Sequence, residues 1–491
     1  MFKYKKFNIT NIIIALFVLF FQLSNIFLLI NNNVSKAFVI LFVVATILLN
    51  IAMCFIYKII KNKKIETKFL IIGSFIGLIY LMGIPMMKGT DEIPHFNRIY
   101  QISTGDIVVD NKTITKIPEN VKKYADPKGL EFYQKDTIFE KDSKKMELLN
   151  QTETPSAYAP TQYIPQVVGY KFAKLFGFGP FISFYMVRLF NLASFLLISF
   201  YALKRLPIKK EVISILYLAP ATLSLVATMS GDAFLNANTL LFIAIVFDNL
   251  YNKKELSTSD LIILLLSGIV IATIKTVYIP IVLISLLLKD KKWKKALMIV
   301  IPIITCFIWS KLSSNMTGFT QGDSSVQLAY IFSNPLNYLV TFFNTFTNDL
   351  YYYITNLFAG SEMVQGIASV NGLLVIAYLL IFILSFFNDK REYKINSIVK
   401  YIMVFMFILI LGAVSTVMYI SWTPVFDGLK GDTIIGVQSR YFILLVPLFI
   451  LIIPNKFKII KKDFFNYALL LNVLIALNTI SSVLVYYFTL I

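Results

Sequence analysis

The stretch Gly89–Asp106, GTDEIPHFNRIYQISTGD, gathers Asp91, Glu92, His95 and Arg98 directly after an apolar run, and His95 is the chain's only histidine. A carboxylate at the mouth of a membrane span stays ionised because water reaches it, while its other side faces a low dielectric. Such a group can take a proton from a hydroxyl nucleophile or ligate a divalent cation. On a helix, His95 and Arg98 would share a face with Asp91, and Pro94 fits a first helical turn better than an interior. An arginine and an imidazole beside a carboxylate join a base to cationic partners for a phosphate. The plain alternative is a solvated Asp-Glu cap with a packing histidine.

Three further segments converge on the same side of the membrane. MSGDAFLNANTLLF sets Asp232 at a turn between spans, with Asn236 and Asn238 just inside the next; IATIKTVYIP sets Lys275 at a span end; GVQSRYFILLVPLF sets Gln438, Arg440 and Tyr441 at another. Polar and charged groups at membrane depth are costly and default to functional hypotheses. Any one could be an interhelical pair. Four on one leaflet predict a shared polar cleft suited to a phosphate-bearing ligand. No Gly-rich phosphate loop, dinucleotide fingerprint or Ser/His/Asp arrangement occurs.

The elements that must position these residues are apolar. The chain has 491 residues, 57% of them hydrophobic and only 15% charged, the composition of an integral membrane protein. Apolar runs predict an all-α polytopic protein of about 13 transmembrane helices. They lie at 12–30, 34–57, 69–87, 180–203, 211–229, 233–250, 259–275, 277–288, 296–310, 367–387, 398–420, 440–454 and 464–490. The whole chain, 1–491, reads as a single membrane domain. Its exoplasmic parts are a long loop at 88–162 with the acidic motif, an interfacial helix at 163–179, and a second loop at 311–366 with an amphipathic aromatic segment.

The net charge of +19 comes from lysines and arginines clustered between the spans, at Lys3–Lys6, Lys58–Lys68, Lys204–Lys210, Lys289–Lys295, Lys390–Lys400 and Lys456–Lys462. That is the positive-inside pattern of cytoplasmic loops, with the N-terminus cytoplasmic, and not a nucleic-acid footprint. Cys54 and Cys306 fall inside apolar runs, with no disulfide or metal spacing. Abundant Lys, Asn, Ile and Phe suggest a bacterial gene, hence the plasma membrane. The halves show no matching pair of broken helices, which counts against a repeat-built transporter.

With no ATP outside a cell, chemistry there needs a preactivated donor, and a sugar on a polyprenyl phosphate is one. An exoplasmic acidic motif after an early span, followed by an aromatic and proline-bearing interfacial helix, resembles the GT-C superfamily of membrane glycosyltransferases. More narrowly, DEIPHFNRIYQISTGD, SGDAFLNAN, IKTVYIP and VQSRYFILLVPLF resemble the bacterial DUF2142 family of that superfamily, over about residues 70 to 455. Ser439 stands where that pattern leads one to expect glycine.

The resemblance implies a GT-C-like fold and transfer of a sugar from a polyprenyl-phosphate donor to an envelope glycan, lipid or protein acceptor. By analogy Asp91 is the general base, or Asp91 and Glu92 hold the acceptor and a metal. Arg98, Lys275 and Arg440 are the donor-phosphate candidates, and His95, Asp232, Gln438 and Tyr441 complete the substrate-binding set. Some superfamily members use a divalent cation, magnesium or manganese, and others use none. The alternatives are a flippase or transporter for polyprenyl-linked glycans, and a noncatalytic partner in envelope polysaccharide synthesis.

Overall fold

A segment without water to bond its backbone must close its own hydrogen bonds, and a helix does so within one run. The computed structural model describes residues 9–32, 34–110, 113–124, 138–149, 154–253, 255–314, 324–358, 372–388, 395–454 and 464–489. Helices α1 (Ile9–Asn31), α2 (Lys36–Ile60) and α3 (Ile65–Gly83) lead to α4 (Glu92–Thr104). Strand β1 (Lys116–Pro118), the short α5 (Glu119–Tyr124) and strand β2 (Met146–Leu148) follow, the strands pairing antiparallel. Next come α6 (Ile164–Leu175), α7 (Pro180–Arg205), α8 (Lys210–Tyr217), α9 (Pro220–Val226), α10 (Asp232–Asn252) and α11 (Thr258–Ile274).

A 3-10 helix, Thr276–Leu287, separates α11 from α12 (Lys292–Ser313). After α13 (Ser324–Ser333), α14 (Pro335–Asn348) and α15 (Leu350–Phe358) come α16 (Gly372–Asn388), α17 (Ser397–Ser421) and α18 (Thr423–Phe426). A second long 3-10 helix, Ser439–Leu445, runs into α19 (Val446–Ile452), and α20 (Phe464–Thr489) closes the described chain.

The protein is an all-α multi-pass membrane protein. Seven helices among the described residues are long and apolar enough to cross a bilayer, and four shorter apolar stretches accompany them. Helix α10 is the hub: 89% of its apolar window is buried, against 17% for α12 at the periphery. A helix apolar all round belongs inside such a bundle.

Small residues set the approach of α3 to α7. A Cβ on Gly73 would stand 2.5 Å from Leu196, and one on Gly77 2.6 Å from Leu192. The Gly-xxx-Gly spacing lets the backbones meet, as in other membrane helix pairs. At one end of the bundle Arg205 ties three helices together, with Nε 2.8 Å from Asp248 and Nη1 2.6 Å from Asp260. The lysine-rich turns at Lys204–Lys210 and Lys289–Lys295 lie at this end, opposite the acidic motif.

Three segments read as plain spans are not plain α-helices. The 211–229 run divides into α8 and α9, because Pro220 cannot continue a helix and starts a new one. The carbonyls freed there are met by side chains: Asn472 Nδ2 donates to Leu218 O at 3.0 Å and Thr222 Oγ1 to Leu216 O at 3.0 Å. The 277–288 run is 3-10 as far as Leu287 and contains Pro280, and 440–454 begins as 3-10 before α19. Breaks of this kind interrupt the spans without a hydropathy gap to announce them.

The 88–162 loop is folded over its described part and docked on the bundle. Asn120 Nδ2 donates to Lys141 O at 2.8 Å, and Lys174 of α6 reaches Asp142 at 2.7 Å. The helix expected at 163–179 is α6. It buries Pro165, Gln166, Gly169, Tyr170 and Ala173 and leaves Ile164, Val168, Phe172 and Leu175 exposed as an apolar stripe. The aromatic segment within 311–366 forms α14 and α15 with Leu336, Phe343 and Tyr351 exposed; 315–323 and 359–366 lie outside the described residues.

Candidate active site

Asp91 is the N-terminal cap of α4 and stands in the left-handed region, φ 56° and ψ 22°. Aspartate tolerates that region better than most residues, at a cost of about 1 kcal/mol. Its backbone carbonyl accepts from His95 N at 3.1 Å, so the helix starts normally, with Pro94 in its first turn. Its carboxylate does not cap the helix. It turns instead to Arg440, Nη2 to Oδ2 2.5 Å, with the Asp91 side chain 51% exposed and Arg440 8%.

The neighbouring carboxylate fixes this geometry. Glu92 is fully buried in a bidentate pair with Arg188 of α7, Nε–Oε1 and Nη2–Oε2 both 2.7 Å. Arg188 also donates to the carbonyls of Leu81, Ile84 and Pro85, at 3.1, 2.7 and 2.9 Å. Glu92 Oε2 in turn accepts from Gly89 N at 3.1 Å. The pair fastens the α3–α4 connection to α7, and a buried bidentate pair with all donors used is rigid.

The two cations arrive on the 3-10 helices. Lys275 is the residue between α11 and the first, and its Nζ lies 2.6 Å from Asp232 Oδ1. Arg440 is near the start of the second, its Nε 2.6 Å from Gln438 Oε1 and 3.8 Å from Asp232 Oδ2. Asp232, the first residue of α10 and 8% exposed, thus holds both cations. The Tyr441 ring lies 4.2 Å below Lys275 Nζ, and Tyr278 donates to Tyr441 O at 2.9 Å, stitching the two 3-10 helices together. Ser439 donates to Tyr353 O at 2.9 Å, which gives the serine a place in the turn. Arg440 Nη1 and both side-chain polar atoms of Asn236 are buried with no hydrogen-bond partner among the described residues. Asn238 is spent on Phe234 O, 2.8 Å away.

The 3-10 turn Pro160–Tyr163, within YAPTQYIPQ, walls the cluster. Tyr163 OH lies 2.6 Å from His95 Nδ1, and Thr161 Oγ1 lies 2.7 Å from Thr273 Oγ1 on α11. Gln162 presses on Gly231, where a Cβ would fall 2.1 Å from Gln162 Cγ; only glycine fits before Asp232. Desolvation lowers His95 to about 4 despite the pull of Asp91 and Asp232, so the imidazole is neutral at pH 7. At Asp91, desolvation raises the carboxyl but the charge and hydrogen bond of Arg440 pull it down, and the group sits below its ordinary value.

The structure brings Asp91, His95, Asp232, Lys275, Gln438, Arg440 and Tyr441 together. It removes two residues from the roles first assigned. Glu92 is no second catalytic acid, because Arg188 binds both its oxygens in the fully buried pair. Arg98 is no phosphate ligand, because it is fully buried and spent on Tyr158 O, Gln101, Asp106 O and Ile107 O, at 3.1, 3.1, 3.3 and 2.8 Å.

Nor do Asp91 and Glu92 fit a shared divalent cation. The two carboxylates diverge, and Asp91 and Asp232 each already face a cation. Among the described residues no group of three or more His, Cys, Asp or Glu could hold a metal.

The sequence reading passed over Arg188 and Asn191, although each is a polar residue inside the apolar run FYMVRLFNLASF. Asn191 Nδ2 donates to Thr228 O at 2.8 Å and its Oδ1 accepts from Gln166 at 3.0 Å. It thereby anchors the turn that precedes Asp232.

A model of the family described as predicted membrane protein (DUF2142) matches residues 74–449. The matched range contains every residue of the cluster. No curated protein matches the chain, and no solved structure does.

Proposed function

Since the chain belongs to the DUF2142 family of predicted membrane proteins, and its polar residues meet in one cluster, we propose that it is a membrane glycosyltransferase. It moves a sugar from a polyprenyl-phosphate donor to an envelope acceptor (glycan, lipid or protein). The observation that carries the reading is the Asp91–Arg440 contact: a half-exposed carboxylate against a buried guanidinium, with a second cation, Lys275, held beside it by Asp232.

In the reaction, the acceptor hydroxyl gives its proton to Asp91 as its oxygen forms a bond to the anomeric carbon. The bond from that carbon to the phosphate oxygen breaks, and its electron pair stays on the departing polyprenyl monophosphate. Attack and departure on opposite sides invert the anomeric centre. Arg440 and Lys275 face the growing phosphate charge, a stabilisation worth a few kcal/mol of barrier in comparable sites.

The finer topology belongs to this proposal. A 3-10 helix rises about 2.0 Å per residue against about 1.5 Å for an α-helix, so Thr276–Leu287 reaches about 24 Å rather than about 18 Å. If that stretch, Ser439–Ile452 and the α8–α9 pair each cross, the chain makes 13 crossings in a GT-C-like arrangement. The lysine-rich end and the N-terminus are then cytoplasmic, and the cleft opens on the outer face of a bacterial plasma membrane.

One observation favours the flippase reading. Broken and 3-10 segments meet at the charged cluster, as transporter sites do. Against it, the ionic groups gather at the two ends of α10, with buried Leu240, Phe242, Ile243, Ile245 and Val246 between them. Purified protein in nanodiscs, given a labelled polyprenyl-phosphate sugar and an acceptor, tests the proposal. Wild type should form labelled product, and Asp91→Asn, present at equal level, should not. Equal product from both removes Asp91 as the base.

A further inference from the structure

We propose that the Asp91 carboxylate occupies the anion subsite of Arg440 until a ligand phosphate displaces it, so that donor binding itself unmasks the base. The inference rests on the glycosyltransferase reading for the identity of the anion.

Four ionised groups form the cluster, and they are not equivalent. Asp232, Arg440 and Lys275 have side chains 8%, 8% and 25% exposed and are tied to one another through the Asp232 carboxylate. Asp91 is the outer member at 51%, and the contact that ties it to the other three runs through one oxygen, Oδ2, to Arg440. No helix-capping bond from its side chain competes.

The three nitrogens of Arg440 are equally unequal. Nε is fixed on Gln438 Oε1, Nη2 carries Asp91, and Nη1 is buried without a hydrogen-bond partner. A guanidinium grips a phosphate best through two parallel donors. With Nε taken, the available pair is Nη1 and Nη2, so a phosphate that satisfies the orphaned Nη1 also claims the nitrogen now held by Asp91. The exchange trades one anion for another at an almost fully buried cation, so the guanidinium is never left uncompensated, and the carboxylate released is the half-exposed one. Asp91 then loses its cationic partner and faces the acceptor as a free carboxylate. Donor must precede acceptor in the productive order.

Binding of a short-chain prenyl monophosphate to protein in nanodiscs, measured by titration calorimetry, tests this. Asp91→Asn should bind the probe at least about tenfold more tightly than wild type, because the resident competitor made a charge-assisted hydrogen bond. Asp232→Asn should bind it more weakly, because both cations lose their anchor, and Arg440→Gln should lose binding. If Asp91→Asn binds no better than wild type while Arg440→Gln still loses the probe, the exchange is wrong and the phosphate site stands. If Asp91→Asn and Asp232→Asn tighten binding equally, only bulk charge was removed and the exchange is again overturned. If neither wild type nor Asp91→Asn binds the probe, the phosphate reading fails and takes the exchange with it.

Discussion

His95 offers a direct probe of the cleft, because it is the only histidine in the chain. Its imidazole is 7% exposed, and desolvation brings it from 6.5 to about 4. As pH falls below 6.5 the unfolded chain takes up a proton there while the folded chain does not. The unfolded state binds more protons across the window from 6.5 to about 4, so stability falls with pH and levels off below it. The full loss attributable to this residue is about 3 kcal/mol.

Denaturation in detergent at pH 7, 5.5 and 4.5, for wild type and His95→Gln, reads the effect, because carboxylates remote from His95 contribute equally to both and cancel in the difference. Wild type should lose about 2 kcal/mol more than the variant over that range, most of the full loss. The labelled imidazole should titrate in NMR near 4. Parallel pH profiles for the two proteins, or an imidazole titrating near its ordinary 6.5, would refute the argued burial and with it the wall made by Tyr163.

Other expectations follow from the same contacts. Removing one partner of the Glu92–Arg188 pair, as in Glu92→Met or Arg188→Met, should cost about 3 to 5 kcal/mol, and the double replacement far less than the sum. Additive losses in that cycle would mean the pair carries no coupling. Gly77→Leu should separate α3 from α7, since even a Cβ there meets Leu192 at 2.6 Å; normal thermal stability in that variant contradicts the packing. If the Asp91–Arg440 contact breaks on donor binding, the acid limb of kcat should lie at higher pH than that of kcat/KM for the donor, whose limb, set by Asp91 paired with Arg440 in the unliganded protein, falls below the ordinary carboxylate range of about 4. Coincident limbs would show that Asp91 keeps its partner throughout.

The cleft was more legible in the sequence than the scaffold that builds it. Asp91, Asp232, Lys275 and Arg440 stood out because a charge at a span end has few cheap explanations. Glu92 and Arg98 carried the same signal but serve structure. Spacing alone cannot say which of two adjacent carboxylates will meet an arginine 96 residues further along. Arg188 was the clue, masked by its apolar run. The 3-10 helices were illegible for another reason: a uniformly apolar, β-branched stretch such as TVYIPIVLISLL has no period that separates one helix type from another. Pro220 and Pro280 marked departures from α-helix that a hydropathy reading passes over.

Mass spectrometry of envelope glycans tests the central claim most directly, using three strains: wild type, a deletion, and one carrying Asp91→Asn at normal protein level. The account predicts that the deletion and the point mutant lose the same sugar, which would also identify the donor. Loss in the deletion with the sugar retained in Asp91→Asn would contradict it and leave a flippase or a noncatalytic partner.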